Sequence, residues 1–450
     1  MPIPLVLVHG YASSGNAYVK WRDAFVSAGR KVTDIFVGNY ITLTNEVTVD
    51  DIANGFNHAL HEKGLDRAPF DAIVHSTGML VVRSWLTASN PAVSRRGLLK
   101  HLVALAPATF GSPIAAKGRS LLGRIFIGSK DLFGPDFLES GDLVLSDLEL
   151  GSQFTWDLAH KDLIDTKLYG PDNDTPYVFI FDGTNDYGTL AEIFDRTDQE
   201  GTDGVVRWSG VALNTRKITL NLGVSNGGVQ MSDFSNLLDI PMIPVAGVHH
   251  NQIMSEPPDE LITLVLKALD VNSKDDFANF HNNLVANAKV VQQGKAALQG
   301  QNWQQFIVRA RDNYGAPITD YSIEILARAS DNTDTLIPEF EADVHPFAAD
   351  NSFRCFHVKL DELKGKLEGK RLIARVIAKT GTRLVGYQGF GSNQTEAATP
   401  DLGVELDISK FDGSVPGKSL FFPFTTTLIE IILNREPIIP ANVFNFMQQQ

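Results

Sequence analysis

At 450 residues the chain is too long for one ordinary hydrophobic core, so two domains are expected. Its 43% hydrophobic and 20% charged content is the balance of a globular protein in water. Acidic side chains number 53 against 39 basic ones, a net charge of −14, which argues against nucleic acid and anionic membrane surfaces as partners. Cys355 is the single cysteine, so no intrachain disulfide forms and no oxidising compartment is required.

Met1-Pro2-Ile3-Pro4 carries no basic stretch, and the apolar run Leu5-Val6-Leu7-Val8 after it reads as a strand, not a secretory leader. Leu420 to Leu433 is interrupted by Pro423, three threonines and Glu430, and cannot span a bilayer. A cytoplasmic location with no transmembrane segment is expected, with leaderless export or loss of a leader as the alternative.

Leu5 to Val8 is the kind of uninterrupted apolar run that marks a strand buried on both faces of a parallel sheet. It ends at His9-Gly10-Tyr11-Ala12-Ser13-Ser14-Gly15, and a helix around Tyr18 to Ser27 follows. A second strand is expected near Val32 to Val37. Asp50 or Asp51 then caps a helix running to about Lys63, with Ile52, Phe56 and Leu60 on one face.

Ala72-Ile73-Val74 is a short buried strand that breaks at His75-Ser76-Thr77-Gly78 into a helix carrying Leu80, Val81, Trp85 and Leu86. A serine on so sharp a strand-to-helix turn has its hydroxyl pushed into the open above a helix N-terminus. The ordinary reading of Ser76 is a helix-capping serine. His101 to Ala106 is a further buried strand, and the alternation of strand and helix indicates a doubly wound, mostly parallel α/β sheet.

From about 107 to 167 the alternation stops. This insertion is expected either as a lid or as helices that complete the core, and its apolar part, Leu122 to Phe137, suits an acyl pocket. The sheet resumes at Tyr177 to Phe181. The acidic run from Asp182 to Asp203 reads as a solvated loop, with a calcium site as the alternative. Apolar segments at Ile218 to Leu222 and Met242 to Val245 follow, the latter leading into Gly247-Val248-His249-His250. A helix after Pro258 places Leu261, Ile262, Val265 and Leu269 on one face.

Residues 273–300 read as a polar helical linker closing a catalytic domain of residues 1–272. Beyond 300 the period changes to two: Tyr321, Ile323, Ile325 and Ala327 alternate with polar residues, as do Phe356, Val358 and Leu360. The same holds for Leu402, Val404, Leu406 and Ile408, and for Thr427, Ile429, Ile431 and Leu433. Residues 301–450 are therefore expected as an all-β sandwich of roughly seven strands, through which oligomers can form.

Three features converge on chemistry: Ser76 on its turn, an acid after a late strand, and a histidine after the last strand. Asp203 in Thr-Asp-Gly-Val-Val is the preferred acid, with Asp186 and Asp182 as rivals nearer the preceding strand. The histidine is His249 or His250; the resemblance drawn below implies His250, since His-x-x-Ile sets an apolar residue one helical turn on, as closing helices of that family do. His9 and His75 are expected to point elsewhere by strand alternation and to be core histidines.

On these pieces residues 1 to about 270 resemble an α/β-hydrolase of the serine lipase/esterase type. The matching strings are Val-His-Gly-Tyr (8–11), Val-His-Ser-Thr-Gly (74–78), Ala-Pro-Ala-Thr-Phe-Gly-Ser (106–112), Thr-Asp-Gly-Val-Val (202–206) and His-His-Asn-Gln-Ile (249–253). The order Ser, Asp, His is that of the family. Val74 departs from it, standing where the elbow usually has glycine, so close approach of strand and helix falls to Gly78 or to a wider turn. The resemblance implies backbone N–H groups of Tyr11 and Thr77 as the oxyanion hole, no cofactor or metal, and a small-molecule or lipid ester as substrate. It implies ester hydrolysis through an acyl-enzyme. An acyltransferase with the same residues, or a non-catalytic binding protein on a hydrolase scaffold, are the alternatives.

Overall fold

The computed structural model describes residues 3–8, 18–35, 46–88, 95, 97–117, 142–166, 168–171, 175–186, 200–224, 228–233, 240–340, 343–363, 366, 369–382, 385–389, 403–409 and 419–437. Leu122 to Phe137, and with it the acyl pocket expected there, lies outside them. The chain divides into two compact units. The first is Met1–Thr215, Phe234–Gln305 and Pro423–Thr426; the second is Arg216–Asp233, Phe306–Phe422 and Thr427–Gln450.

The first unit is built on β1 (Leu5–Val8), β2 (Val32–Ile35), β3 (Phe70–Ser76), β4 (Leu99–Pro107) and β5 (Tyr177–Gly183). Strands β6 (Thr215–Asn221) and β7 (Val229–Met231) belong to another sheet, and β8 (Met242–Val245) returns to this one. The order is β2-β1-β3-β4-β5-β8, with parallel register throughout, as in Leu5↔Asp71 and Ile180↔Met242. Every residue of β1, β3, β5 and β8 is buried, which is why β1 and the middles of β3 and β5 read as apolar runs. The chain leaves β1 toward β2 and leaves β3 toward β4, in opposite directions across the sheet, so the order reverses between β1 and β3, the place where doubly wound sheets set their sites.

Helices α1 (Val19–Ser27), α2 (Val49–Glu62) and α3 (Gly78–Thr87) follow the first three strands. The cap of α2 is Thr48, whose hydroxyl accepts from Asp51 N while the Asp51 carboxylate accepts from Thr48 N. Asp50 and Asp51 therefore sit inside the first turn and not at the cap, as the Thr-x-x-Asp spacing of a capping box requires. Within the insertion, α4 (Asp142–Leu148) and α5 (Gln153–Ala159) bury Val144, Leu148, Trp156 and Leu158. The π turn after α5 carries Asp162, which meets Arg83 of α3 in a fully buried ion pair (Nε to Oδ2 2.7 Å). The described part of the insertion thus completes the core.

After β8 come α6 (Gln252–Ser255), α7 (Asp259–Ala268), α8 (Lys274–Asn279) and α9 (Lys289–Ala297). Residues 273–300, expected as a linker, are part of the first unit. The rings of Phe277 and Phe280 pack on Phe179 of β5 at 5.4 and 4.7 Å, and Gly294 of α9 lies against the Pro244 carbonyl. A π turn at Phe280–Val285 interrupts the 3.6-residue period, so the buried stripe does not read as one amphipathic helix.

The second unit contains β9 (Trp303–Asp312), β10 (Tyr321–Arg328), β11 (Asp334–Leu336), β12 (Val344–Pro346), β13 (Phe353–Lys359), β14 (Arg371–Ala378), β15 (Val385–Gln388), β16 (Val404–Asp407) and β17 (Thr426–Pro437). One sheet has the order β11-β10-β14-β16; the other is β12-β13-β9-β17-β6-β7, with β15 also on β17. Alternate residues of both sheets, among them Phe306, Val308, Ile325, Ala374, Val358 and Ile431, share one core. Ile218 to Leu222, expected within a catalytic domain of residues 1–272, lies in this sandwich. Its buried residues alternate with half-buried Lys217, Thr219 and Asn221, the pattern of a strand with one covered face. Cys355 is buried.

Candidate active site

Strand β3 drives straight through the core and stops at Ser76, which has φ 53°. A non-glycine residue there costs on the order of 1–3 kcal/mol and persists only where the surroundings impose it. Here the register with β4 shifts between His75 and Ser76, and the Ser76 carbonyl accepts from Ala108 N at 3.2 Å. Helix α3 begins two residues later, at Gly78. A Cβ added to Gly78 would stand 3.0 Å from the Val8 carbonyl oxygen and 3.5 Å from Val74 Cβ. The bare Cα of Gly78 therefore leaves room for the β1 backbone, while Val74 stands at ordinary contact distance from it.

Asp203 sits in a tight loop. Its Oδ1 accepts from Val205 N (2.9 Å) and Val206 N (2.8 Å), and Gly204 between them has φ 96°. The loop is tied back by the Ser112 hydroxyl, which donates to the Val205 carbonyl. His250 follows β8 through Gly247 (φ 78°), and its backbone N–H donates to the Asp203 carbonyl at 3.1 Å. The backbones of the two loops are therefore joined before their side chains meet.

His250 Nδ1 lies 2.7 Å from Asp203 Oδ2, and His250 Nε2 lies 3.1 Å from Ser76 Oγ. An ionised carboxylate only accepts, so Nδ1 carries the ring proton and Nε2 presents its lone pair to the serine hydroxyl. Ser76, Asp203 and His250 are at most 2% exposed. Burial by itself pushes the Asp203 carboxyl up. The His250 imidazole, the hydrogen bond to it and the Val206 N–H outweigh that and leave Asp203 below its ordinary value. The arrangement can take a proton from Ser76 as its oxygen attacks and hold the resulting imidazolium against a fixed negative charge.

The other sequence candidates separate in space. Asp186 is exposed beyond the end of β5. Asp182 is fully buried at the end of β5, where burial and then the Asp203 charge push its carboxyl well above the ordinary value; His250 Nδ1 turns to Asp203 instead. The ring of His249 turns back on its own loop, where Nδ1 accepts from Asn251 N at 3.3 Å, and burial lowers its pKa. Thr77 is buried at the start of α3. Tyr11 and His9 lie outside the described residues, as do 187–199 of the acidic run. Among the described residues no group of His, Cys, Asp or Glu is arranged to hold a metal ion, and no helix is long and apolar enough to cross a membrane.

His75 is buried, as expected of a core histidine, and it also touches the candidate base. Its ring lies 4.8 Å from that of His250, and its Nε2–H donates to the His250 carbonyl at 3.0 Å. Strand alternation turns it away from Ser76, but the loop after β8 passes on that side of β3. No local pattern in the sequence announces this.

No protein-family model matches the sequence, and no curated protein matches it. By structure the chain is similar to phospholipase PlaB from Legionella pneumophila in complex with thio-NAD, with a TM-score of 0.74 and 21% identity over 99% of this chain and 97% of that one. A second structure of that phospholipase gives a TM-score of 0.72 and 22% identity over the same shares. Lipase BlEst2 from Bacillus licheniformis, in mature form, gives 0.36 and 14% over 59% and 91%. The chain has an α/β-hydrolase fold followed by a β-rich region, an architecture that matches the Legionella phospholipase over nearly the whole of both chains.

Proposed function

We propose that this chain is a serine carboxylester hydrolase acting on lipid or other aliphatic esters through an acyl-enzyme on Ser76. The observation that carries the reading is the unbroken series Ser76 Oγ, His250, Asp203 at 3.1 and 2.7 Å, on a serine held at positive φ. His250 Nε2 takes the Ser76 proton as Oγ attacks the ester carbonyl. It returns that proton to the leaving alcohol oxygen, and Ser76 retains the acyl group. Water then repeats the sequence with His250 as base, and the acid is released.

Asp203 keeps the imidazole in the tautomer this requires. The developing oxyanion is assigned to the N–H of Thr77, at the head of α3, and to that of Tyr11. Such donors are worth roughly 3–4 kcal/mol each in the transition state. A lipid ester as substrate is supported by the phospholipase likeness over both units.

The test is labelling by a fluorophosphonate probe, together with hydrolysis of a chain-length series of p-nitrophenyl esters and of a phospholipid in mixed micelles. Wild type is expected to label and to turn over, while Ser76→Ala loses labelling and falls at least about 1,000-fold in kcat. A wild-type protein that neither labels nor hydrolyses any ester overturns the reading. Products compared with and without added alcohol separate hydrolysis from acyl transfer.

A further inference from the structure

Asp203 Oδ1 takes its two backbone donors from Val205 N and Val206 N. The second of these belongs to the same planar peptide unit as the Val205 carbonyl. One end of that unit therefore faces the carboxylate of Asp203. The other end faces Ser112, whose hydroxyl donates to Val205 O at 2.5 Å. Ser112 is 1% exposed, and its Oγ also accepts from Ile114 N at 3.3 Å. A carbonyl only accepts and an N–H only donates, so the single proton of this hydroxyl is committed to Val205.

What brings Ser112 there is the end of β4. His75 is paired with Leu105 and Ser76 with Pro107, which leaves Ala106 as the extra residue of a bulge, at φ 45°. Beyond the bulge, Ala108 N reaches the Ser76 carbonyl at 3.2 Å. Gly111 has φ 87°, and a Cβ there would stand 2.5 Å from the Leu148 carbonyl oxygen. Only glycine fits so close to the end of α4. Ser112 N then donates to that same carbonyl at 2.8 Å. The segment from Ala108 to Ser112 is thus tied at one end to the backbone of Ser76 and at the other to the loop of Asp203. With the side-chain series from Asp203 through His250 to Ser76 Oγ, the contacts close into a ring.

We propose that Ser112 is a positioning residue of the site: its hydroxyl sets the tilt of the 205–206 peptide, and that peptide holds Asp203 in the rotamer that offers Oδ2 to His250. The inference rests on the reading of Ser76, His250 and Asp203 as the hydrolytic group. A peptide unit is stiff about its own C–N bond but turns about the Cα atoms on either side. Without the Ser112 donor on Val205 O the unit can turn, and Val206 N–H leaves its line to Asp203 Oδ1. The carboxylate then keeps one of its two backbone donors, and the distance from Oδ2 to Nδ1 is no longer fixed. Thr109 supplies the contrast within the same segment. Its hydroxyl donates to Val211 O at 2.6 Å, away from the turn of residues 203–206.

The test compares full-length wild type, Ser112→Ala, Ser112→Cys and Thr109→Val. Ser112→Ala is expected to lose about 10–100-fold in kcat of ester hydrolysis with KM little changed, the fold-change for a lost hydrogen bond to a charged group. Ser112→Cys keeps the shape with a far weaker donor; it should follow Ser112→Ala, and it stands in for that variant if the alanine does not fold. Thr109→Val loses a hydrogen bond of the same kind and should stay within about threefold of wild type. The proton NMR resonance of His250 Nδ1–H, shifted to low field by its bond to Asp203, should move upfield or broaden in Ser112→Ala and stay in place in Thr109→Val. Wild-type kcat in Ser112→Ala, an equal loss in Thr109→Val, or an unmoved His250 resonance overturns the proposal. The resonance reads the hold on Asp203 whether or not an ester is turned over. Its movement in Ser112→Ala, with no Ser76 labelling in wild type, would therefore sink the hydrolase reading alone.

Discussion

His75 and His250 are joined by a hydrogen bond from the Nε2–H of the first to the backbone carbonyl of the second, at 3.0 Å, with their rings 4.8 Å apart. The residue before the elbow serine thereby holds the backbone of the proposed base. His75→Ala leaves a buried carbonyl without that donor and is expected to lower kcat by about tenfold, with KM nearly constant. His75→Gln, which keeps an N–H within reach, should recover part of the loss. Equal kcat in wild type and His75→Ala would show that the contact only fills space.

At the elbow, Gly78 lies close against the backbone of β1. A Cβ on Gly78 sits 3.0 Å from a backbone oxygen, and β1 cannot yield without moving the sheet. Gly78→Ala is expected to cost about 1–3 kcal/mol in urea unfolding despite the better helix propensity of alanine. A variant as stable as wild type would mean that the turn has slack elsewhere.

Arg83 and Asp162 are both fully buried, and Tyr169 donates its hydroxyl to the same carboxylate at 2.8 Å. Removing one partner strands the other charge, so Asp162→Ala should lose about 3–5 kcal/mol. Arg83→Met with Asp162→Leu should lose less than Asp162→Ala alone, although the Thr109 carbonyl also gives up its donor. Thermal unfolding of the three proteins reads the order directly.

Asp147, at the end of α4, accepts from Val49 N at the start of α2 (3.0 Å). Burial pushes its carboxyl up to about 6; Val49 N opposes this, and the charges of Asp50 and Asp51 add to it. An acid with a raised folded-state pKa favours the folded chain while it is protonated. Its contribution is complete below about pH 4, the unfolded value, and is lost as pH rises through about 6. Stability measured between pH 4 and 7 should therefore fall with rising pH by on the order of 2 kcal/mol more in wild type than in Asp147→Asn. Parallel curves for the two proteins would refute this.

Much of this molecule was written in local pattern. Continuous apolar runs mark β1, β3, β4 and β5, because a strand covered on both faces has no polar side to show. The break at Ser76 is legible because a buried strand passes to a helix within two residues. Period-two segments beyond 300 announce a sandwich whose strands each have one covered face. Those signals lie within a few residues of one another, where backbone geometry alone relates side chains.

What needed the tertiary structure is whatever depends on two distant segments meeting. Residues 273–300 read as polar, and only the aromatic contact of Phe277 and Phe280 with Phe179 makes them part of the first unit. Ile218 to Leu222 is apolar enough for either sheet, and its partners in β17 and β7 decide between them. Asp182, Asp186 and Asp203 are equivalent as letters. Two backbone donors and the imidazole distinguish Asp203, and those come from loops that close upon one another only when the chain has folded.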